Sequence, residues 1–305
     1  MKAAGVGILL CAGFLAAQNP GSSPTAQVVV TAEPRHGHDT PALSAKDVLV
    51  FSRKDRSGNG QLPVVELIPA AGGHAPLELM VLLDDGAGTD IGNQLDDIRK
   101  FIRALPADAS VSLGYMKNGS AGLVQKMTRD HEAAAAKIRL PLGTPGINGS
   151  PYFALEDAIK HWQRNPQTRR EVLMVTDGID RYYGSGPGNG YVDALLERAQ
   201  REAIVVHSIF WSGAGHDSHR YWAIQWGQNY LAQLAEGTGG EAYWQGYRNP
   251  VSLGPYLDQL LERFSNQYLL TFQTAPRSKP ELIPIQIRTE LAGVEIVGPM
   301  KALAP

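Results

Sequence analysis

Leu77-Glu-Leu-Met-Val-Leu-Leu-Asp-Asp-Gly-Ala-Gly-Thr89 is an apolar run that ends in a pair of carboxylates and a glycine-rich turn. An apolar run of this length bounded by turn residues predicts a buried strand. Open α/β sheets bind ligands outside the carboxyl ends of such strands, where the backbone turns sharply. A second stretch, Glu171-Val-Leu-Met-Val-Thr-Asp-Gly178, has the same form. The strand-end aspartates Asp84 and Asp177 therefore read as parts of one shared site.

Outward from these stretches the pattern alternates between strands and helices. Strand 77–84 leads to a helix over 91–105, with Leu95, Ile98, Ile102 and Leu105 at helical spacing. Strands 109–116 and 121–127 flank Asn118-Gly119, a hairpin signal. Helices follow over 130–139 and 152–163. Strand 171–176, helix 191–202, strand 204–210, helix 221–236, strand 241–244 and helix 253–266 complete the unit. This alternation predicts a doubly wound, mostly parallel central sheet with helices on both faces. Residues 76–267 form that α/β domain. Residues 18–75 are a linker and an N-terminal β segment, in which 48–51 and 64–68 read as a hairpin across the polar turn 55–60. Strands 268–272, 283–288 and 293–297 form a C-terminal extension over 268–305. Neither β piece alone buries much surface, so the two are expected to pack together as a small β layer.

The chain has 305 residues and is 43% hydrophobic, ample for a buried core. Its net charge of −2 offers no basic face for a polyanion, so nucleic acid is not an expected partner. Residues 1–17 carry Lys2, then a short apolar stretch, then Leu15-Ala-Ala17 before a polar run, which is the pattern of a signal peptide. The stretch is shorter than the roughly 20 apolar residues a spanning helix needs. The expectation is export to the periplasm or the extracellular space, with no integral membrane span after cleavage. The single cysteine, Cys11, lies inside that signal, so the mature chain has no disulfide and no thiol nucleophile. Leu10 before it argues against a lipid-attachment site.

Three pieces of the sequence resemble the von Willebrand factor type A (VWA) domain, in particular the exported VWA-related proteins of acidobacteria. Met80-Val-Leu-Leu-Asp84 is similar to the family's first strand and metal-site aspartate. Asn148-Gly-Ser-Pro-Tyr-Phe-Ala-Leu-Glu-Asp-Ala158 resembles its second loop and the helix after it. Val172-Leu-Met-Val-Thr-Asp-Gly178 resembles its third metal-site loop. Leu43-Ser-Ala-Lys-Asp-Val-Leu-Val-Phe51 and Tyr268-Leu-Leu-Thr-Phe272 are similar to the flanking strands of those exported proteins. The resemblance implies a metal-ion-dependent adhesion site that binds an acidic partner group through Mg²⁺, a cation that takes six oxygens in near-octahedral geometry.

The chain departs from that pattern in its first loop. Asp84-Asp85-Gly86-Ala87-Gly88 has glycines where the family has two serines, and Thr89 stands one position late. Carried over residue by residue, the metal ligands are Asp84, Ser150 and Asp177. Asp85 is a further carboxylate, although a neighbour on a strand end points the other way. Mg²⁺ or another divalent cation is one expectation for this degenerate site, and no cofactor is the other.

Other motifs carry less. Residues 55–66 match the oxygen positions of a calcium loop but are flanked by strands rather than helices, so a hairpin turn is the better reading. His36 and His38, and His207, His216 and His219, lack the matched ligand set a zinc site requires. No nucleophile elbow, phosphate loop or dinucleotide fingerprint is present, and no enzyme activity is expected. Arg181-Tyr-Tyr-Gly-Ser-Gly-Pro-Gly-Asn-Gly190 follows Asp177, and Trp211, Tyr221, Trp222 and Trp226 form a second aromatic group. Thr89, Arg181, Tyr182 and Tyr183 are the candidate partner-binding rim. The functional expectation is an exported, non-enzymatic, adhesion-type protein that recognises a protein or an extracellular polymer. A metal-dependent hydrolase using Asp84, Asp85 and Asp177 is the alternative from another class, and a structural envelope protein with a vestigial site is a third.

Overall fold

The computed structural model describes residues 23–35, 40–52, 60–144, 149–165, 167–214, 220–243 and 246–305. The signal-like segment 1–17, His36, His38, His216, His219 and most of the turn 55–60 lie outside the described residues. Four strands come first: β1 (Thr25–Pro34), β2 (Val48–Ser52), β3 (Gln61–Leu62) and β4 (Val64–Pro69). The α/β unit follows as β5 (Leu77–Asp84), α1 (Leu95–Ala104), β6 (Ser110–Lys117), β7 (Ser120–Thr128), α2 (His131–Ala136) and α3 (Pro151–Lys160). It continues with β8 (Arg169–Thr176), α4 (Gly190–Arg201), β9 (Ile204–Phe210), α5 (Tyr221–Thr238), β10 (Ala242–Tyr243) and α6 (Gly254–Ser265). Strands β11 (Gln267–Gln273), β12 (Glu281–Thr289), β13 (Val294–Val297) and β14 (Lys301–Ala304) close the chain.

The central sheet has the order β7-β6-β5-β8-β9-β10, and only β7 runs antiparallel. The chain adds β6 and β7 on one side of β5, then reverses and adds β8, β9 and β10 on the other. The crevice between β5 and β8 is thus the topological switch point, the place where sheets of this kind hold ligands. Strand β5 is apolar on both faces because helices cover both. Leu77, Leu79, Val81 and Leu83 pack with Ile98, Ile102, Leu257 and Leu260 on one face. Met80 and Leu82 pack with Leu155, Leu195 and Leu231 on the other. Asn118 and Gly119 have φ of 51° and 75°, as a tight turn between antiparallel strands with this residue pair requires.

The helix expected over 91–105 starts later. Thr89–Gln94 is a 3-10 turn, and α1 begins at Leu95. Gly92 and Asn93 are poor helix formers, and the straight amphipathic stripe takes over only beyond them.

The terminal β segments combine as the sequence implies, but as a two-sheet sandwich. One sheet has the order β13-β1-β11-β4 and the other β14-β12-β2-β3. Val28, Val30, Leu270 and Phe272 from the first share a core with Val48, Val50, Ile283 and Ile285 from the second. Strands 48–51 and 64–68 do not pair with each other. β2 pairs with β3, while β4 crosses to the other sheet and pairs with β11. The crossing occurs at Pro63, which has no N–H to continue the first ladder. Its carbonyl accepts from the Gln273 backbone N–H at 2.8 Å instead. β14 carries no β-branched or aromatic residue and was not legible as a strand.

Helix α5 touches the loop after β8 backbone to backbone. Gly178 takes φ +68°, and a Cβ on Gly227 would overlap the Asp177 carbonyl oxygen. Glycine in a helix normally costs about 1 kcal/mol relative to alanine. Here the close approach reverses that sign, because overpacking costs about 1–3 kcal/mol. Gly227→Ala is expected to lower the urea midpoint, whereas Gly190→Ala, at the open start of α4, is expected to leave it unchanged or raise it. A Gly227→Ala protein as stable as the wild type would refute the close-packed account of this loop.

Candidate functional site

Three loops meet at the carboxyl end of the switch-point crevice. The first leaves β5. Asp84 is buried at 6% exposure. Its Oδ1 accepts from the Gly86 N–H at 2.8 Å, and its Oδ2 accepts from the Thr176 hydroxyl at 2.6 Å. Thr176 is the last residue of β8, so this bond ties the two central strands at their ends. Asp84 shares the parity of Met80 and Leu82 and projects to the same side as they do. Asp85 has the opposite parity and is directed elsewhere. Its carboxylate holds Arg139, with Nη1 at 2.7 Å and Nη2 at 3.3 Å, and accepts from the Leu142 N–H at 3.0 Å. Arg139 also lies 3.7 Å above the Tyr115 ring. Asp85 therefore anchors the segment after α2 and is not gathered with Asp84. Thr89 begins the 3-10 turn and is exposed.

The second loop delivers Ser150. It is the N-cap of α3, followed by Pro151 at the first helical position, and its hydroxyl accepts from the Phe153 N–H at 3.4 Å. That is the expected use of serine before a helix. The third loop leaves β8 with Asp177, which is fully buried. Its Oδ1 accepts from the Ile179 N–H at 2.9 Å, and its Oδ2 receives Arg181 Nη2 at 2.6 Å. The Arg181 backbone N–H donates to Gly149 O at 3.0 Å, which locks the second and third loops together.

Arg181, expected on the outer rim, is instead folded inward, with its side chain only 11% exposed. Tyr182 and Tyr183 do stand outward, at 54% and 51% exposure. They belong to a ring cluster with Phe153 and Tyr191, at centroid distances of 4.9 to 6.0 Å. Asp180 holds this loop from beneath. Its Oδ1 accepts from the Tyr182 and Tyr183 N–H groups at 3.0 Å each, and its Oδ2 from Asn189 Nδ2 at 2.8 Å. Asn189 in turn caps α4, and the Tyr230 hydroxyl donates to Gly186 O at 2.6 Å. A second exposed set, Tyr221, Trp222 and Tyr247, lies beyond the carboxyl ends of β9 and β10. Among the described residues, every exposed aromatic side chain is on this rim of the sheet.

Thr176, Asp180, Phe153 and Tyr191 were not singled out in the sequence, nor was the inward role of Arg181. Asn189-Gly190 before a helical pattern is an N-cap signal that could have pointed to the tie beneath the loop. The Arg181 pairing has no local signature, since it depends on how the backbone bends after the strand.

The electrostatics follow from burial. Asp84 is pushed up to about 6, first by desolvation and second by the negative charge of Asp177, with the Thr176 and Gly86 hydrogen bonds and Arg181 offsetting part of the rise. The Tyr152 hydroxyl donates to Gly178 O at 2.6 Å and is held well above its ordinary value, chiefly by burial and then by Asp180 and Asp177.

These residues do not fit a divalent cation. Mg²⁺ requires six oxygens at close to 2.1 Å, and the residues carried over are three side chains, Asp84, Ser150 and Asp177, with Asp85 paired to Arg139 instead. The Arg181 guanidinium sits on Asp177, where it would repel a dication. The space bounded by Asp84, Lys117, Ser150 and Arg181 is about 10 Å³, room for about one water. Among the described residues no three His, Cys, Asp or Glu side chains gather in a metal-binding cluster. His207 is fully buried on β9, and its Nδ1 accepts from the Glu241 N–H at 3.1 Å. Its proton is therefore on Nε2, which donates to Glu171 Oε2 at 2.8 Å.

No protein-family model matches the chain. No curated protein matches it either. Among solved structures, the chain is similar to an aerotolerance-related membrane protein from Bacteroides fragilis NCTC 9343, at 12% identity, covering 62% of this chain and 98% of that one, with a TM-score of 0.44. It is similar to a von Willebrand factor type A structure from Catenulispora acidiphila, at 9% identity, covering 94% and 75% of the two chains, with a TM-score of 0.44. It is also similar to the SpRpn10 VWA domain, at 14% identity, covering 61% and 94%, with a TM-score of 0.38.

A carboxyl group whose folded pKa lies above its unfolded value stabilises the fold only while protonated. The Asp84 contribution is present below 3.8 and is lost as the pH rises through about 6. Asp84→Asn removes that dependence. The stability of the wild type relative to Asp84→Asn is expected to fall by up to ~3 kcal/mol between pH 4 and pH 7. Urea denaturation of both proteins at the two pH values measures it. A constant difference would mean that Asp84 is not strained by its ionisation.

Proposed function

We propose that the chain is an exported, non-enzymatic, adhesion-type binding protein. In this reading it recognises a protein or an extracellular polymer through the loops on the carboxyl rim of its α/β sheet, without a bound cation. The observation that carries the cation-free reading is the Arg181 guanidinium seated 2.6 Å from Asp177. A fixed positive charge stands where the resemblance implies a metal, and it neutralises the same carboxylate.

The rim itself supports recognition. Tyr182-Tyr-Gly-Ser-Gly-Pro-Gly-Asn-Gly-Tyr191 contains no charged residue and is built from the residue types that dominate antibody paratopes. Tyrosine offers a large amphipathic contact at low entropic cost, and Asp180, Asn189 and Tyr230 hold the loop in advance of binding. Pre-ordering of this kind reduces what binding must spend on order. The pairing of Asp85 with Arg139 counts against a hydrolase that would use Asp84, Asp85 and Asp177 together. The signal pattern of residues 1–17 supports export, and no helix among the described residues is long and apolar enough to cross a membrane.

Two measurements test this. A native cation must raise the melting midpoint when present at many times its dissociation constant. The midpoint is expected to be the same in EDTA and in millimolar Mg²⁺, Mn²⁺ or Ca²⁺, and a rise with any of them would overturn the cation-free mechanism. Affinity capture from the native secretome is expected to retain the same partner with or without EDTA. The Tyr182→Ser/Tyr183→Ser/Tyr191→Ser protein is expected to lose it. Undiminished capture by the triple variant would rule out the rim as the contact.

A further inference from the structure

A cavity of about 330 Å³ lies at the opposite end of the sheet from the rim, where the amino ends of β8 and β9 meet the β sandwich. Its walls differ in character. One is apolar, formed by Val28, Ile204, Leu269 and Leu303. The other carries Arg164, Arg169, Arg170, Arg201 and Lys301, with Glu202 as the one acidic side chain of the lining. In a chain whose net charge is −2, this is a local concentration of positive charge.

Three of these cations are occupied. Arg169 donates to the carbonyls of Ala70, Ala75 and Phe264. Arg170 is held by Glu202, and Lys301 by Glu197 at 3.2 Å. Arg164 and Arg201 are exposed, and neither makes an ion pair among the described residues. The Arg170 guanidinium is held below its ordinary range first by burial, and Arg164 adds to that against the pull of Glu202. Arg164 and Arg201 are thus the cations of this cavity left without an acidic partner among the described residues.

The cavity also has an unmet acceptor. Gln200 is 5% exposed, and its Nε2 donates to Gly237 O at 2.7 Å. Its Oε1 is buried with no hydrogen-bond partner among the described residues. Leaving such an atom unpaired is costly, and buried orphans of this kind call for an explanation. A donor entering the cavity would relieve it. Nearby, Ala203 takes φ +51° at the turn between α4 and β9. That left-handed conformation is unfavourable for a residue with a Cβ, and such strain is often stored at ligand sites.

We propose that this cavity binds a small organic anion, with its oxyanion group held by Arg164 and Arg201, its apolar body against the sandwich wall, and a hydroxyl or amino group donating to Gln200 Oε1. The site stands apart from the rim and does not depend on what the rim binds. Carboxylates and phosphates share the oxyanion chemistry that two guanidinium groups recognise.

Calorimetric titration of the full chain with 4-hydroxybenzoate, 4-hydroxyphenyl phosphate and 4-hydroxybenzyl alcohol, at fixed ionic strength, tests it. At least one of the two anions is expected to saturate, and the neutral alcohol is expected to bind at least about tenfold more weakly, since charge-assisted hydrogen bonds contribute about 1.5–3 kcal/mol each. The tighter of the two anions identifies the group as carboxylate or phosphate. Arg164→Gln/Arg201→Gln changes only exposed side chains, so the fold should survive, and it is expected to raise the anion's Kd by about tenfold or more. Absence of saturation by either anion at about 10 mM, equal binding of the neutral alcohol, or unchanged affinity in the double variant would each overturn the proposal. Any of these outcomes would leave a water-filled crevice.

Discussion

Two carboxylates buried at the ends of adjacent parallel strands must be neutralised or the sheet cannot close around them. Asp84 and Asp177 meet this constraint in different ways. Asp84 is held by neutral donors, the Gly86 N–H and the Thr176 hydroxyl, and it remains strained, with its pKa pushed up to about 6. Asp177 is held by a full charge, the Arg181 guanidinium. Much of the rim follows from that second solution. Arg181 must turn inward to reach Asp177, its backbone N–H then fastens to Gly149, and the tyrosines after it are carried outward. A metal ion and an arginine are two ways to neutralise the same crevice, and their geometric demands differ. The metal would need open oxygen ligands, whereas the arginine needs only a carboxylate and a backbone that bends toward it.

Among the described residues, each loop is tied by a short polar side chain to its own backbone or to the next loop. Asp180 joins Tyr182, Tyr183 and Asn189, and Ser150 closes the first turn of α3. Gly178 and Gly227 let helix α5 press directly on the third loop. The result is a set of exposed rings on a fixed frame. The opposite end of the sheet has another character. There Arg169, Glu171 and His207 are buried where the α/β unit rests on the sandwich, and the charge is partly left over in the interunit cavity.

Much of this was legible in the chain and some was not, for physical reasons. The two-faced apolar run of β5 could only be a strand covered on both sides, so the α/β sheet and the meeting of Asp84 with Asp177 follow from it. Side-chain alternation also separates Asp84 from Asp85. The partner of Asp85 could not be read, because Arg139 arrives from 54 residues away. The polar turn between 48–51 and 64–68 predicts a hairpin within a single β layer. Pro63 instead sends β4 to the other sheet, a choice made by which ladder has room for a residue without an N–H.

By itself, then, the sequence determined the alternation of elements, the buried strands, the carboxylates at their ends and the glycines at 86 and 88 that follow the first of them. Those are properties of residue type and spacing. Only the tertiary structure decided what sits against Asp177, which tyrosines stand clear of the core, and that an arginine-lined cavity opens where the sandwich meets the sheet. Each of these depends on groups far apart in the chain being brought within a few ångströms, and on whether a backbone turn aims a long, flexible side chain inward or out.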